Sequence, residues 1–147
     1  MEKRPSLIKI ITVDYAAFLA FIFPIVMWGM YIVLRVLDNE PKPSLFSLPV
    51  IFGIITIVAI IVVVWRIQLI NSVFSDGIES MAKLDNVFFY RDRGKLEYIY
   101  IYMGEKYRSS NAVQKCKYTR DLQIGSEMVV MVDRNHPKRA YLRDLYS

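Results

Sequence analysis

Between Lys42 and Arg66 the chain carries no charged side chain, and Ser44–Trp65 reads SLFSLPVIFGIITIVAIIVVVW. About twenty apolar residues at a helical rise of ~1.5 Å span the hydrocarbon core of a bilayer. In lipid the backbone polar groups of such a stretch must be satisfied internally, which predicts a helix. A second charge-free run, Tyr15–Leu34, precedes it as YAAFLAFIFPIVMWGMYIVL. Together the two runs explain a composition that is 54% hydrophobic, above the ~45–50% usual for soluble domains.

The turn between them, Asp38–Pro43 (DNEPKP), is short and proline-rich, so the two helices are predicted to form an antiparallel hairpin. This divides the chain into a leader (1–14), a first transmembrane helix (15–37), an extracytoplasmic turn (38–43), a second transmembrane helix (44–69), a linker (70–76) and a C-terminal domain (77–147). The apolar run behind the leader is too long for a signal-peptide h-region, which predicts an uncleaved anchor. Neither run contains an Asp, Glu, Lys, Arg or His. Transport paths and proton relays need such groups, so the hairpin reads as an anchor whose first partner is the bilayer. Thr56 is its main interior polar residue, expected to bond its own helix backbone. Lys3, Arg4 and Lys9 precede the first run; Arg66, Lys83, Arg91, Arg93 and Lys95 follow the second; the turn holds only Lys42, with Arg35 at its edge. The positive-inside rule then predicts a multi-pass protein of the inner (plasma) membrane with both termini cytoplasmic.

After Ser75-Asp76-Gly77 the hydrophobic period shortens toward two, the period of strands. Strands are predicted at Ile78–Tyr90, Lys95–Met103, Lys106–Ser110, Glu127–Val132 and Ala140–Leu142, with Ser109–Asp121 as a polar loop. The expected fold class is a membrane α-helical hairpin of two transmembrane helices followed by a small all-β domain. That domain has about five strands, in an OB- or SH3-like barrel or sandwich closed to protect its edges. A segment from about Gly77 to Ser147 is expected to fold on its own.

Tyr98, Tyr100 and Tyr102 recur at period two and share one face of a strand, with Tyr107 on the next. Set among Lys95, Lys106 and Arg108, these rings suit stacking on nucleic-acid bases. They suit equally well one wall of the domain, hydroxyls at its rim. From Asp76 onward 13 basic side chains face 10 acidic ones, a balance of +3. That falls short of a nucleic-acid footprint and favours the wall. Ile99, Ile101 and Met103 make the opposite face apolar too, so one face must meet the rest of the barrel, the membrane or a partner. A second candidate is the basic cluster Lys115, Lys117 and Arg120 around Cys116, which suits anionic headgroups or a reactive thiol. Cys116 is the only cysteine, and His136 the only histidine. No Gly-rich phosphate loop, nucleophile elbow or His-Glu-x-x-His is present, so no catalytic residue, cofactor or metal is assigned and no enzyme is expected. The candidate interaction surface is Tyr98, Tyr100, Tyr102, Tyr107, Lys115, Lys117 and Arg120.

The pattern Tyr98-x-Tyr100-x-Tyr102-x-Gly104-x-x-Tyr107-x-Ser109, then Gly125-x-x-Met128-x-Val130-x-Val132-Asp133, then Pro137-x-x-Ala140-x-Leu142, resembles a bacterial membrane-anchored family of unknown function. The resemblance spans Gly77–Leu142 and departs at Arg134 and His136, where the family has Pro and Asn. It implies a small β-domain beside one or two membrane helices, and no activity. The expected role is a non-enzymatic accessory or interaction subunit of a larger membrane complex, or a self-associating protein. The competing role is a membrane-tethered module that senses lipid headgroups or nucleic acid through the Tyr face or basic loop.

Overall fold

A computed structural model describes residues 5–37 and 48–147, and the predicted turn at 38–43 lies outside the described residues. The leader is not merely polar. Its residues Leu7–Val13 form a helix, α1, whose Ile10 and Val13 are fully buried. The apolar runs form α2 (Tyr15–Leu37) and α3 (Leu48–Asp76), packed against each other, with mean hydropathies of 2.3 and 2.9. Each is long and apolar enough to cross a membrane. Phe23, Ile25, Ile54 and Ile61 point outward, leaving a surface that only an apolar surrounding satisfies. The hairpin also has a specific clasp. Trp28 Nε1 donates to Thr56 Oγ1 across the two helices at 3.1 Å, while the Thr56 hydroxyl donates to Phe52 O of its own turn at 2.7 Å. Trp28, Tyr31 and Phe52 meet edge to face around that bond.

Residues 70–76 are the last two turns of α3, with Ile70 and Val73 buried against the β-domain. Gly77 ends the helix, its N–H donating to Val73 O at 2.9 Å. A Cβ there would lie 2.1 Å from Val73 O and 2.9 Å from Val132 O, so only glycine allows so close a passage between helix and sheet.

The domain is one antiparallel sheet in the order β3-β2-β1-β4-β5, formed by β1 (Ile78–Tyr90), β2 (Arg93–Tyr102), β3 (Glu105–Gln114), β4 (Glu127–Val132) and β5 (Ala140–Leu142). A short helix, α4 (Arg143–Tyr146), ends it. Two-residue loops, Arg91-Asp92 and Met103-Gly104, join β1 to β2 and β2 to β3. Arg91, Met103 and Gly104 have φ of 54°, 52° and 82°, the left-handed conformation that suits the twist of tight hairpins. Asp85 is the extra residue of a bulge between Leu84 and Asn86, and it lets long β1 curve between β2 and β4.

One strand boundary moves by several residues. β3 runs on to Gln114, through residues read as loop. Its Asn111 and Val113 point inward and are buried, while Ser110 and Ala112 face out. Polarity alone hid the strand, because Asn111 satisfies its amide inside the domain.

The sheet curls toward a barrel without completing it. Its edge strands β3 and β5 are not paired to each other, and side chains bridge the seam between them. The Tyr98 hydroxyl sits 2.7 Å from Asn111 Oδ1 and 2.6 Å from Ala140 O, and Asn111 Nδ2 donates to Ala140 O at 3.2 Å. Tyr100 OH donates to Pro137 O, and Ser109 Oγ to Lys138 O at 3.0 Å. The core inside joins Leu84, Leu96, Tyr98, Val130 and Leu142 of the sheet to Ile10, Val13, Ala17, Ile70 and Val73 of the helices. Packing therefore does not divide at Gly77: the helix ends complete the domain that follows them.

Candidate functional site

The tyrosine row belongs to the core. Tyr98, Tyr100 and Tyr102 are 0%, 1% and 7% exposed, which fits the wall reading that the charge balance favoured and removes these three from the candidate interaction surface. The concave side of the sheet supplies acceptors to the Tyr98 and Tyr100 hydroxyls. Tyr107 is half-buried, stacked on Tyr100 at 6.0 Å, with its hydroxyl donating to Glu105 Oε2 at 2.7 Å. Ile101 and Met103 on the other face are 65% and 85% exposed.

Burial holds the Tyr98 and Tyr146 phenols well above their ordinary pKa and pushes Tyr100 up to about 12. An unfolded tyrosine releases its proton near pH ~10, so the unfolded chain loses protons there that the folded chain keeps. Stability from these residues is complete below pH ~10 and declines as pH rises beyond it. Denaturation midpoints measured from about pH 8 to about pH 11 should fall in step with tyrosinate absorbance. A flat profile would remove these phenols from the core.

Where the helices enter the domain, one residue does four tasks. Asp14 closes α1, its N–H donating to Ile10 O at 3.0 Å. It also opens α2, its Oδ1 accepting from Ala17 N–H at 2.9 Å, as an N-cap does. Its backbone pairs with Val113 at the end of β3. Its carboxylate, 1% exposed, takes Arg66 bidentately: Nε donates to Oδ1 at 3.2 Å and a terminal guanidinium N–H to Oδ2. Arg66 lies 5.9 Å from the Tyr141 ring, which meets Tyr146 edge to face. The Tyr146 hydroxyl is buried beside them without a partner among the described residues. Asp14 and Arg66 were legible as a pair in principle. Each is the charged residue bordering an apolar run on the same side of a hairpin, which makes them neighbours.

Lys115, Lys117 and Arg120 are exposed on the turn after β3. Lys9 of α1 and Lys117 both lie over the Tyr118 ring, at 5.3 and 4.9 Å, and Lys115 lies 6.0 Å from that of Phe89. Cys116 is half-buried and locked into the turn, its N–H donating to Thr119 Oγ1 at 3.0 Å. His136 is exposed in the turn before β5. Among the described residues no three His, Cys, Asp or Glu side chains gather in a metal-binding group.

The seam between β3 and β5 forms an open groove of about 420 Å³. Arg66 stands at one end, Ser109 and Ser110 of β3 form one wall, and His136, Lys138 and Arg139 line the other. A second groove, around Lys95 and Arg108, shares Ser109, Ser110 and Lys138 with it. Comparison of the chain with protein families, with curated proteins and with solved structures found no match.

Proposed function

We propose that this chain is a two-span protein of the plasma membrane, with both termini and the β-domain on the cytoplasmic side, acting as a non-enzymatic interaction subunit. One observation carries the reading. On the convex face of the sheet, Met81 of β1 is paired with Val129 of β4, and exposed Ile101 and Met103 lie on and just beyond β2. Lys83, Lys106, Arg108 and Glu127 surround this apolar centre. An apolar centre with a charged rim is the anatomy of a protein interface, here held rigidly beside the membrane by the helix ends. The buried polar groups support a structural role: Tyr98, Asn111 and Asp14 spend their hydrogen bonds on closing the fold. The basic leader and post-helix segment support the orientation.

One reporter tests both parts. Ile101→Cys in a Cys116→Ser background places a single exposed thiol on the convex face. An impermeant thiol reagent should leave it unlabelled in intact cells, label it slowly in opened membranes and rapidly once a harsh detergent breaks the assembly. Labelling in intact cells would reverse the orientation. Equal rates before and after dissociation would leave the convex face without a partner.

A further inference from the structure

The seam groove has an electrostatic character that closing the fold does not require. Arg66, His136, Lys138 and Arg139 converge on it from two segments, and among the described residues no carboxylate lines it. The arginines are neutralised from behind: Arg66 by Asp14, and Arg139 by Asp133 at 3.3 Å. A guanidinium has five N–H donors and these contacts use only some of them, leaving others for a further acceptor. Lys138 has no ion-pair partner among the described residues, and its carbonyl is already held by Ser109. The Ser110 hydroxyl is exposed on the rim, and β3, as an edge strand, adds backbone N–H groups that no neighbouring strand takes.

Height selects the ligand. Arg66 follows directly on Trp65, the last residue of the charge-free run, and Trp65 is 57% exposed, placed as interfacial tryptophans are. The groove thus starts where a bilayer's phosphates lie. We infer that the seam groove between β3 and β5 binds the phosphate of an anionic phospholipid headgroup, held by Lys138 and Arg139 with Arg66 at its base. The inference rests on the membrane placement proposed above. It adds a lipid-selective site to that reading, separate from the Lys115–Arg120 turn and on the outer side of the seam that Tyr98 closes from within. A headgroup seated there lies across the unpaired edges of the sheet, so binding should strengthen the domain's hold on its anchor.

The test uses the full-length chain in nanodiscs of phosphatidylcholine alone or with added phosphatidylglycerol, read by thermal unfolding and by lipid retained in native mass spectrometry. Phosphatidylglycerol should raise the unfolding midpoint, and the gain should shrink as salt screens the contact. Lys138→Gln with Arg139→Gln should keep the fold in phosphatidylcholine yet lose the gain, with retention weakened roughly thirtyfold, since each interfacial cation contributes about fivefold. Inorganic phosphate alone should not reproduce the effect. A gain with phosphate alone would make the site one for a soluble anion, and equal midpoints in the two lipids, or a gain kept by the double variant, would overturn the inference. Carbonate extraction separates the two levels: a chain released from membranes refutes the membrane placement itself, whereas an inserted chain indifferent to lipid charge refutes only the groove.

Discussion

Tyr98→Ala should lower the stability of the protein by about 3–5 kcal/mol, the cost of emptying a buried aromatic site. The ring is 0% exposed between Tyr100 and the strand that carries Asn111. Its hydroxyl also closes the seam, so truncation leaves a cavity and removes the one O–H proton that lies within reach of both Asn111 Oδ1 and Ala140 O. Tyr98→Phe separates the two contributions. It keeps the ring and should cost about 1–2 kcal/mol, the value of a buried hydrogen bond whose partners stay behind. Denaturant titration in mild detergent, followed by near-ultraviolet circular dichroism, measures both. A loss below about 1 kcal/mol for the alanine variant would return the tyrosine to the surface.

Asp14→Ala should cost about 3 kcal/mol, because it leaves the Arg66 guanidinium unpaired in a site that is largely closed. Arg66 retains 19% side-chain exposure, which sets the value at the lower end of the range for buried pairs. Asp14→Asn keeps an oxygen to cap α2 and should be milder than alanine by roughly 1 kcal/mol. In the variant Asp14→Asn/Arg66→Met no charge remains buried, so a substantial part of the loss should return. Additive single effects in that cycle would show that the two side chains act independently. The limb at risk is the junction: Asp14→Ala should raise hydrogen exchange in α1 and at the end of β3 more than within α2 or α3.

The two apolar helices were legible because twenty residues without charge admit few structures, and β1, β4 and β5 because turn residues frame them. The tyrosine face was not. Period two puts Tyr98 and Ile99 on opposite sides but cannot choose between sides when both are apolar. The choice came from acceptors in distant segments, Asn111, Pro137 and Ala140, which meet the hydroxyls only once the sheet curls. The end of β3 was hidden for the same reason. Serine and asparagine read as loop until Asn111 is seen donating across the seam. The groove was the least legible feature, since its cations lie at residues 66 and 136–139 and no local pattern links them.

The stitching of α1 to α4 has a bearing on how the protein folds. Ser6 donates its N–H to Tyr146 O at 2.8 Å, and Lys9 reaches the carbonyl of Ser147. Helix α1 therefore has no finished surface to pack on until α4, distant in sequence, is in place. Ile10 and Val13 stay uncovered until then, so the shutting of this core belongs to a late, long-range step of folding rather than to the formation of either long helix.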